Sequence, residues 1–156
     1  MNKKGFTLIE LLIVIAIIAI LAIIIFVALD PLTRFRAARD ATRWSNTVAI
    51  LDAVKLQQVD NGGEYSSIVS GLGAGTYYQI GTSGSGCESG CTARATSGGC
   101  ANLSDLKTSG KLSQIPEDPV DGTEAQTKYY IMRSSTNAIT IGACNPESIS
   151  LLEVSR

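Results

Sequence analysis

From Phe6 to Leu29 the chain is an almost unbroken run of Ile, Leu, Ala and Val. Thr7 and Glu10 are its only clearly polar residues. A stretch of about 20 apolar residues spans a bilayer as a helix, so this segment commits the N-terminal part of the chain to a helix in an apolar setting. A carboxylate inside such a helix costs about 3 kcal/mol at mid-bilayer on insertion scales. Glu10 therefore asks for a partner, or for a path to the interface along which it can snorkel.

The order of features around this run is unlike that of an ordinary secretory signal, where the small-residue cleavage site follows the apolar region. Here Gly5 precedes the run, directly after Lys3 and Lys4. A cut after Gly5 removes both lysines and keeps the hydrophobic segment. The new N-terminus, Phe6, then carries a free amine four residues from Glu10, which supplies the missing cation. A plain single-pass anchor leaves the Gly5-Phe6 junction unexplained.

The stretch Lys4-Gly5-Phe6-Thr7-Leu8-Ile9-Glu10-Leu11-Leu12 resembles the leader and N-terminal segment of type IV pilins and pseudopilins. The motif covers about the first 30 residues, and a looser similarity runs from Asp30 to Tyr65. The resemblance implies cleavage between Gly5 and Phe6 by a membrane prepilin peptidase, with methylation of the Phe6 amine. It implies that Glu10 meets the Phe6 amine of a neighbouring subunit during filament assembly. The partners it implies are the inner membrane, the pilus assembly machinery and further copies of the chain in a helical filament.

Composition agrees with a small tethered domain. The 156 residues suit one domain plus an anchor. A net charge of −1 gives no footprint for nucleic acid, and direct binding to it is not expected. Four cysteines without any histidine point to disulfides rather than metal or redox chemistry. Lys3 and Lys4 before the apolar helix are opposed by Arg34, Arg36, Arg39 and Arg43 after it, so counting positive charges leaves the orientation open. Disulfides persist outside the cytoplasm, which places the C-terminal part there.

Along the chain, residues 1–5 read as a leader and 6–29 as the membrane and assembly helix. Asp30-Pro31 should break it, because proline removes an amide donor and disfavours helix before it. Residues 30–60 read as an amphipathic helix, with Ala37, Ala41, Trp44, Val48, Leu51 and Val54 or Lys55 forming one apolar stripe. Trp44 is expected in the core. Arg36, Arg39, Asp40 and Arg43 fall mostly off the stripe and read as a solvated face, with ion pairs between subunits or contacts to lipid headgroups as the rival roles. Asn61-Gly62-Gly63 ends the helix.

Residues 61–156 form the head. A strand is expected at Thr76 to Ile80, then a Gly- and Ser-rich loop to Gly99. A short helix follows from Asn102, its expected cap, to Thr108. Strands are expected at Lys128 to Arg133, Ala138 to Ala143 and Ile149 to Val154, with a turn at Thr136-Asn137. The fold class is therefore α+β and type IV pilin-like: a long helical spine, half in the membrane and half amphipathic, packed on a small antiparallel sheet.

Four cysteines allow three pairings. Cys87 and Cys91 are close enough in sequence to close a local loop, leaving Cys100 for Cys144, and this is the expected arrangement. A four-cysteine zinc site is the rival, but the spacing lacks paired C-x-x-C knuckles. The acidic run Glu117, Asp118, Asp121 and Glu124 reads as a solvated turn; Asp118, Asp121 and Glu124 are the candidate calcium ligands. Major pseudopilins are similar in carrying a calcium loop near this point. Their usual aromatic-Gly-Asn-Pro-Tyr stretch is absent, with Val120-Asp121-Gly122-Thr123 in its place. No cofactor is expected. Catalysis finds no support: there is no histidine, no P-loop, and Gly84-Ser85-Gly86 is loop composition.

Two functional classes follow: a structural subunit that polymerises through its N-terminal helix, and a low-copy or tethered binding module for a surface or DNA. The first is the expected one. It places the chain in the inner membrane and then in an extracellular filament.

Overall fold

The computed structural model of the protein describes residues 5–156. Met1 to Lys4, which include the two lysines weighed for orientation, lie outside the described residues. The chain divides into two units, Met1–Phe35 and Arg36–Arg156.

The first unit contains α1, Leu8–Leu29. None of its residues is buried, and its apolar side chains are exposed all round. A helix that is hydrophobic on every face is one made to be covered by lipid or by other helices. It is long and apolar enough to cross a membrane. Asp30 ends it in the left-handed region, at φ 37°, and α2, Pro31–Asp60, starts at once with proline in its first position. The missing N–H of proline removes nothing there, since the first amides of a helix have no intrahelical acceptor. Asp30 bridges the break: its carboxylate accepts from the Thr33 hydroxyl at 2.6 Å.

In the second unit, residues 36–60 of α2 lie on a four-stranded antiparallel sheet in the order β1-β2-β3-β4. The strands are β1 Tyr77–Gln79, β2 Tyr129–Arg133, β3 Ile139–Ala143 and β4 Glu153–Ser155. Two single-turn helices, α3 Ser67–Ser70 and α4 Asp105–Thr108, sit between them. The architecture is α+β and consistent with a pilin-like fold. The two central expected strands are present within a residue of their expected bounds. The last strand starts at Glu153 rather than Ile149, and α3 carried no sequence expectation. Asn102 does not cap α4. Its side chain accepts from the Ser104 amide at 3.1 Å, closing a turn ahead of the helix, and Ser104 takes the cap position.

Alternation in β2 and β3 sorts side chains between two faces. Ile131, Ile139 and Ile141 join Ile50, Leu51 and Val54 of α2 in one core. Burying each such side chain contributes about 1.5–3 kcal/mol. On the opposite face Tyr130 pairs with Gly142. A Cβ at Gly142 would stand 2.3 Å from the Tyr130 ring, so only glycine lets the ring lie there. Tyr77 meets Tyr130 edge-on at 5.5 Å. Arg94, from the loop over residues 81–99, lies 5.1 Å above the Tyr77 ring and bonds Glu153 at 3.1 Å. The Gly-rich loop is thereby tied down over the outer face of the sheet.

The buried face of α2 differs from the expected stripe. It runs Asp40, Arg43, Thr47, Ile50, Leu51, Val54 and Gln57. Ala37, Ala41 and Trp44 point outward, and Trp44 is 50% exposed rather than in the core. The two stripes converge at Leu51 and Val54 but differ by one residue before them. One residue is about 100° of helix rotation. The physical reason is that Arg43 and Asp40 find charged partners on the head, so the polar face turns inward.

Candidate functional site

The first site is the junction ahead of α1. Gly5 and Phe6 are exposed and outside regular structure. Thr7 is extended, at φ −84° and ψ 149°, and caps the helix: its hydroxyl accepts from the Glu10 amide at 3.2 Å. Backbone at the Gly5-Phe6 bond is thus open on the N-terminal side of a helix that starts sharply at Leu8. Glu10 lies in the first turn, exposed. A carboxylate there faces the positive end of the helix dipole, worth about 0.3–1 kcal/mol at an exposed site. Thr7-Leu8-Ile9-Glu10 has the spacing of a capping box. That spacing was the sequence signal for the role of Thr7, which the reading of the apolar run passed over. It gives Glu10 a local function within the subunit besides any role between subunits.

The second site was not expected as such. Arg43 is 1% exposed and stands among three carboxylates. Its Nε donates to Asp118 at 2.6 Å and its Nη2 donates to the other Asp118 oxygen at 3.0 Å. Its Nη1 donates to Asp40 at 2.8 Å and to Glu147 at 2.9 Å. Asp40 in turn accepts from the backbone amides of Glu147 at 3.0 Å and Ser148 at 2.6 Å. Arg39 also grips Glu147, through both side-chain nitrogens that face it. Four segments distant in sequence are locked by this network: two turns of α2, the turn at Asp118 and the segment leading to β4.

The electrostatics follow from the geometry. Burial alone would lower the Arg43 pKa; its bonds to Asp118, Asp40 and Glu147 outweigh this and hold it above its ordinary value. Burial would raise the Asp40 pKa, but the Ser148 and Glu147 amides and Arg43 lower it. The Arg39 bond, with a further contribution from Arg43, pulls Glu147 down to about 2. Tyr129, whose hydroxyl accepts from Asn46 at 2.9 Å, is pushed up to about 12 by burial.

Two expectations are corrected here. Asp40 and Arg43 are not on a solvated face, although Arg34 and Arg36 are exposed. Asp118 is no calcium ligand in this arrangement. Both its oxygens are taken by Arg43, one also accepting from the Val120 amide at 2.9 Å, while Asp121 is exposed and Glu124 pairs with Lys107 at 3.2 Å. Among the described residues no cluster of three or more His, Cys, Asp or Glu is placed to hold a metal ion.

The cysteine pairing is also corrected. Cys87 bonds Cys100, and Cys91 bonds Cys144. Cys87 and Cys91 are separated by the turn at Ser89-Gly90, with Gly90 at φ 76°. Thr92 and Ala93 donate their amides to the Cys144 carbonyl at 3.1 and 2.9 Å, which lays Cys91 against the end of β3. Cys87 donates its amide to Gly98, which brings it back toward Cys100. Loop geometry, and not sequence distance, selects the partners.

With this geometry in place, comparison with known proteins is narrow and specific. Residues 1–26 match the family model described as the prokaryotic N-terminal methylation motif. The chain therefore carries the leader of type IV pilins, and the features that define it are the Gly5-Phe6 junction, Glu10 and the apolar α1. Comparison with curated proteins and with solved structures gives no match.

Proposed function

We propose that the protein is a structural subunit of an extracellular type IV pilus, polymerising through its N-terminal hydrophobic helix. The observation that carries this reading is the methylation motif at the head of an apolar helix with no buried residue. Such a helix is stable in lipid before assembly and needs other helices around it afterwards. Cleavage after Gly5 frees the Phe6 amine, and Glu10 of an adjacent copy receives it, which fixes axial register between subunits. Prepilin peptidase makes the cut, and the chain moves from the inner membrane to the filament. Two observations on the head support this reading over a secretion pseudopilus. The head carries two disulfides, and its acidic turn is organised by Arg43. The role is structural, not enzymatic.

The experiment is to express Glu10→Ala as the sole subunit and count filaments per cell against membrane-inserted protein, with N-terminal mass analysis of sheared material. Filaments should be lost while the inserted protein and its folded head persist, and wild-type filaments should begin at a methylated Phe6. Normal filament numbers from Glu10→Ala, or Met1 to Gly5 retained in assembled protein, would remove the basis for this assembly mechanism.

A further inference from the structure

On the head, away from the charge network, a cavity of about 240 Å³ opens between the end of β1, α4 and residues 113–117. This is below the roughly 300–1,000 Å³ of pockets that take drug-sized ligands, so its occupant is small. Ile80, Leu103 and Ile115 line it with apolar surface, and Ile80 and Leu103 are fully buried. Around them Ser104, Ser113, Gln114 and Glu117 present side chains that make no hydrogen bond to any described residue, as does the amide nitrogen of Asn102. Lys107 and Glu124 also line the cavity and neutralise each other. The remaining free groups are hydroxyls, two amides and one carboxylate. They are donors and acceptors in mixed order with little net charge.

We propose that this cavity binds a single sugar ring. Ring C–H groups of a pyranose pack on the apolar lining. The amides and the Glu117 carboxylate accept and donate to its hydroxyls, a carboxylate being suited to two adjacent O–H donors at once. A multiply charged anion is disfavoured by Glu117 and Glu124, and an apolar ligand would strand the polar rim. The proposal stands apart from the filament reading, since it concerns the head alone.

The test is saturation-transfer NMR on the full-length chain in micelles of a detergent without a sugar headgroup. Glucose, galactose, mannose and N-acetylglucosamine serve as separate probes. At least one should receive saturation on its ring C–H protons, with a Kd of about 1–10 mM, as expected for so small a ligand. Glu117→Gln should weaken that sugar about tenfold, as loss of a charged acceptor does. Ser113→Phe, which fills the cavity, should abolish the signal while both variants keep the wild-type fluorescence of Trp44. No transfer to any of these sugars would overturn the proposal. So would binding that survives both variants, or ethanolamine binding in place of the sugars, which would make the site one for ammonium groups.

Discussion

Replacing Arg43 by methionine removes the cation and keeps most of the volume. In the wild type, the Asp118 side chain is fully buried and the Asp40 side chain is 8% exposed. Without Arg43, Asp118 keeps only the Val120 amide as a hydrogen-bond donor, while Asp40 keeps the Glu147 and Ser148 amides. Breaking a buried pair by removing one partner typically costs about 3–5 kcal/mol, because the surviving charge is left desolvated. Glu147 is not stranded, since Arg39 still holds it, so the lower half of that range is expected. This is a large share of the roughly 5–15 kcal/mol by which domains are stable, and it corresponds to a fall in Tm of about 10–15 °C. Trp44, the single tryptophan, adjoins Arg43 on α2 and reports unfolding by fluorescence. Adding Asp118→Leu to Arg43→Met should recover much of the loss, since an apolar pair of similar volume can replace a buried ion pair at little cost. A loss below about 1 kcal/mol for Arg43→Met would refute the reasoning, as would a double variant no more stable than the single one. Either result would mean that Arg43 is solvated and that the face of α2 is set by the aliphatic residues alone.

Further outcomes follow from the same contacts. Glu147, held near 2 against an ordinary 4.5, and Asp40, also lowered, are depressed carboxylates. Their contribution is fully present above their unfolded values and is lost as pH falls through the folded ones, so head stability should drop between about pH 4.5 and 2. Glu147→Gln should flatten that part of the profile measured by acid titration of Trp44 fluorescence. Non-reducing peptide mapping should recover Cys87 with Cys100 and Cys91 with Cys144. Replacing Cys91 and Cys144 together by serine should lower stability by up to about 4 kcal/mol, against about 3 for the shorter loop, measured by denaturant unfolding. Trp44→Ser, at a half-exposed position, should leave head stability within about 0.5 kcal/mol but reduce filament numbers if that face is covered by a neighbouring copy. Wild-type filament counts would show that it is not.

The sequence by itself determined the parts of this protein whose causes are local. The Gly5-Phe6 junction and Glu10 form a contiguous motif. An apolar run as long as α1 is helical whatever surrounds it, because each backbone group is satisfied within the segment. Alternation from Tyr129 to Ala143 placed a hairpin whose turn residue, Asn137, tolerates its φ of 62°. The tertiary structure decided which side of α2 faces the sheet. Apolar periodicity favoured Ala41, Trp44 and Val48, but the charges at Asp40 and Arg43 are matched by Asp118 and Glu147, up to 108 positions away. No local pattern carries that match, and the same three carboxylate partners turn a polar stripe into a buried one. Tracing back from Leu51 and Val54 by three and four residues, to Thr47, Arg43 and Asp40, was the one signal available. The disulfides were decided in the same way. Spacing favoured Cys87 with Cys91, whereas a bond needs Cα atoms within reach, and the fold brings Cys91 to 4.3 Å from Cys144 and Cys87 to 5.4 Å from Cys100.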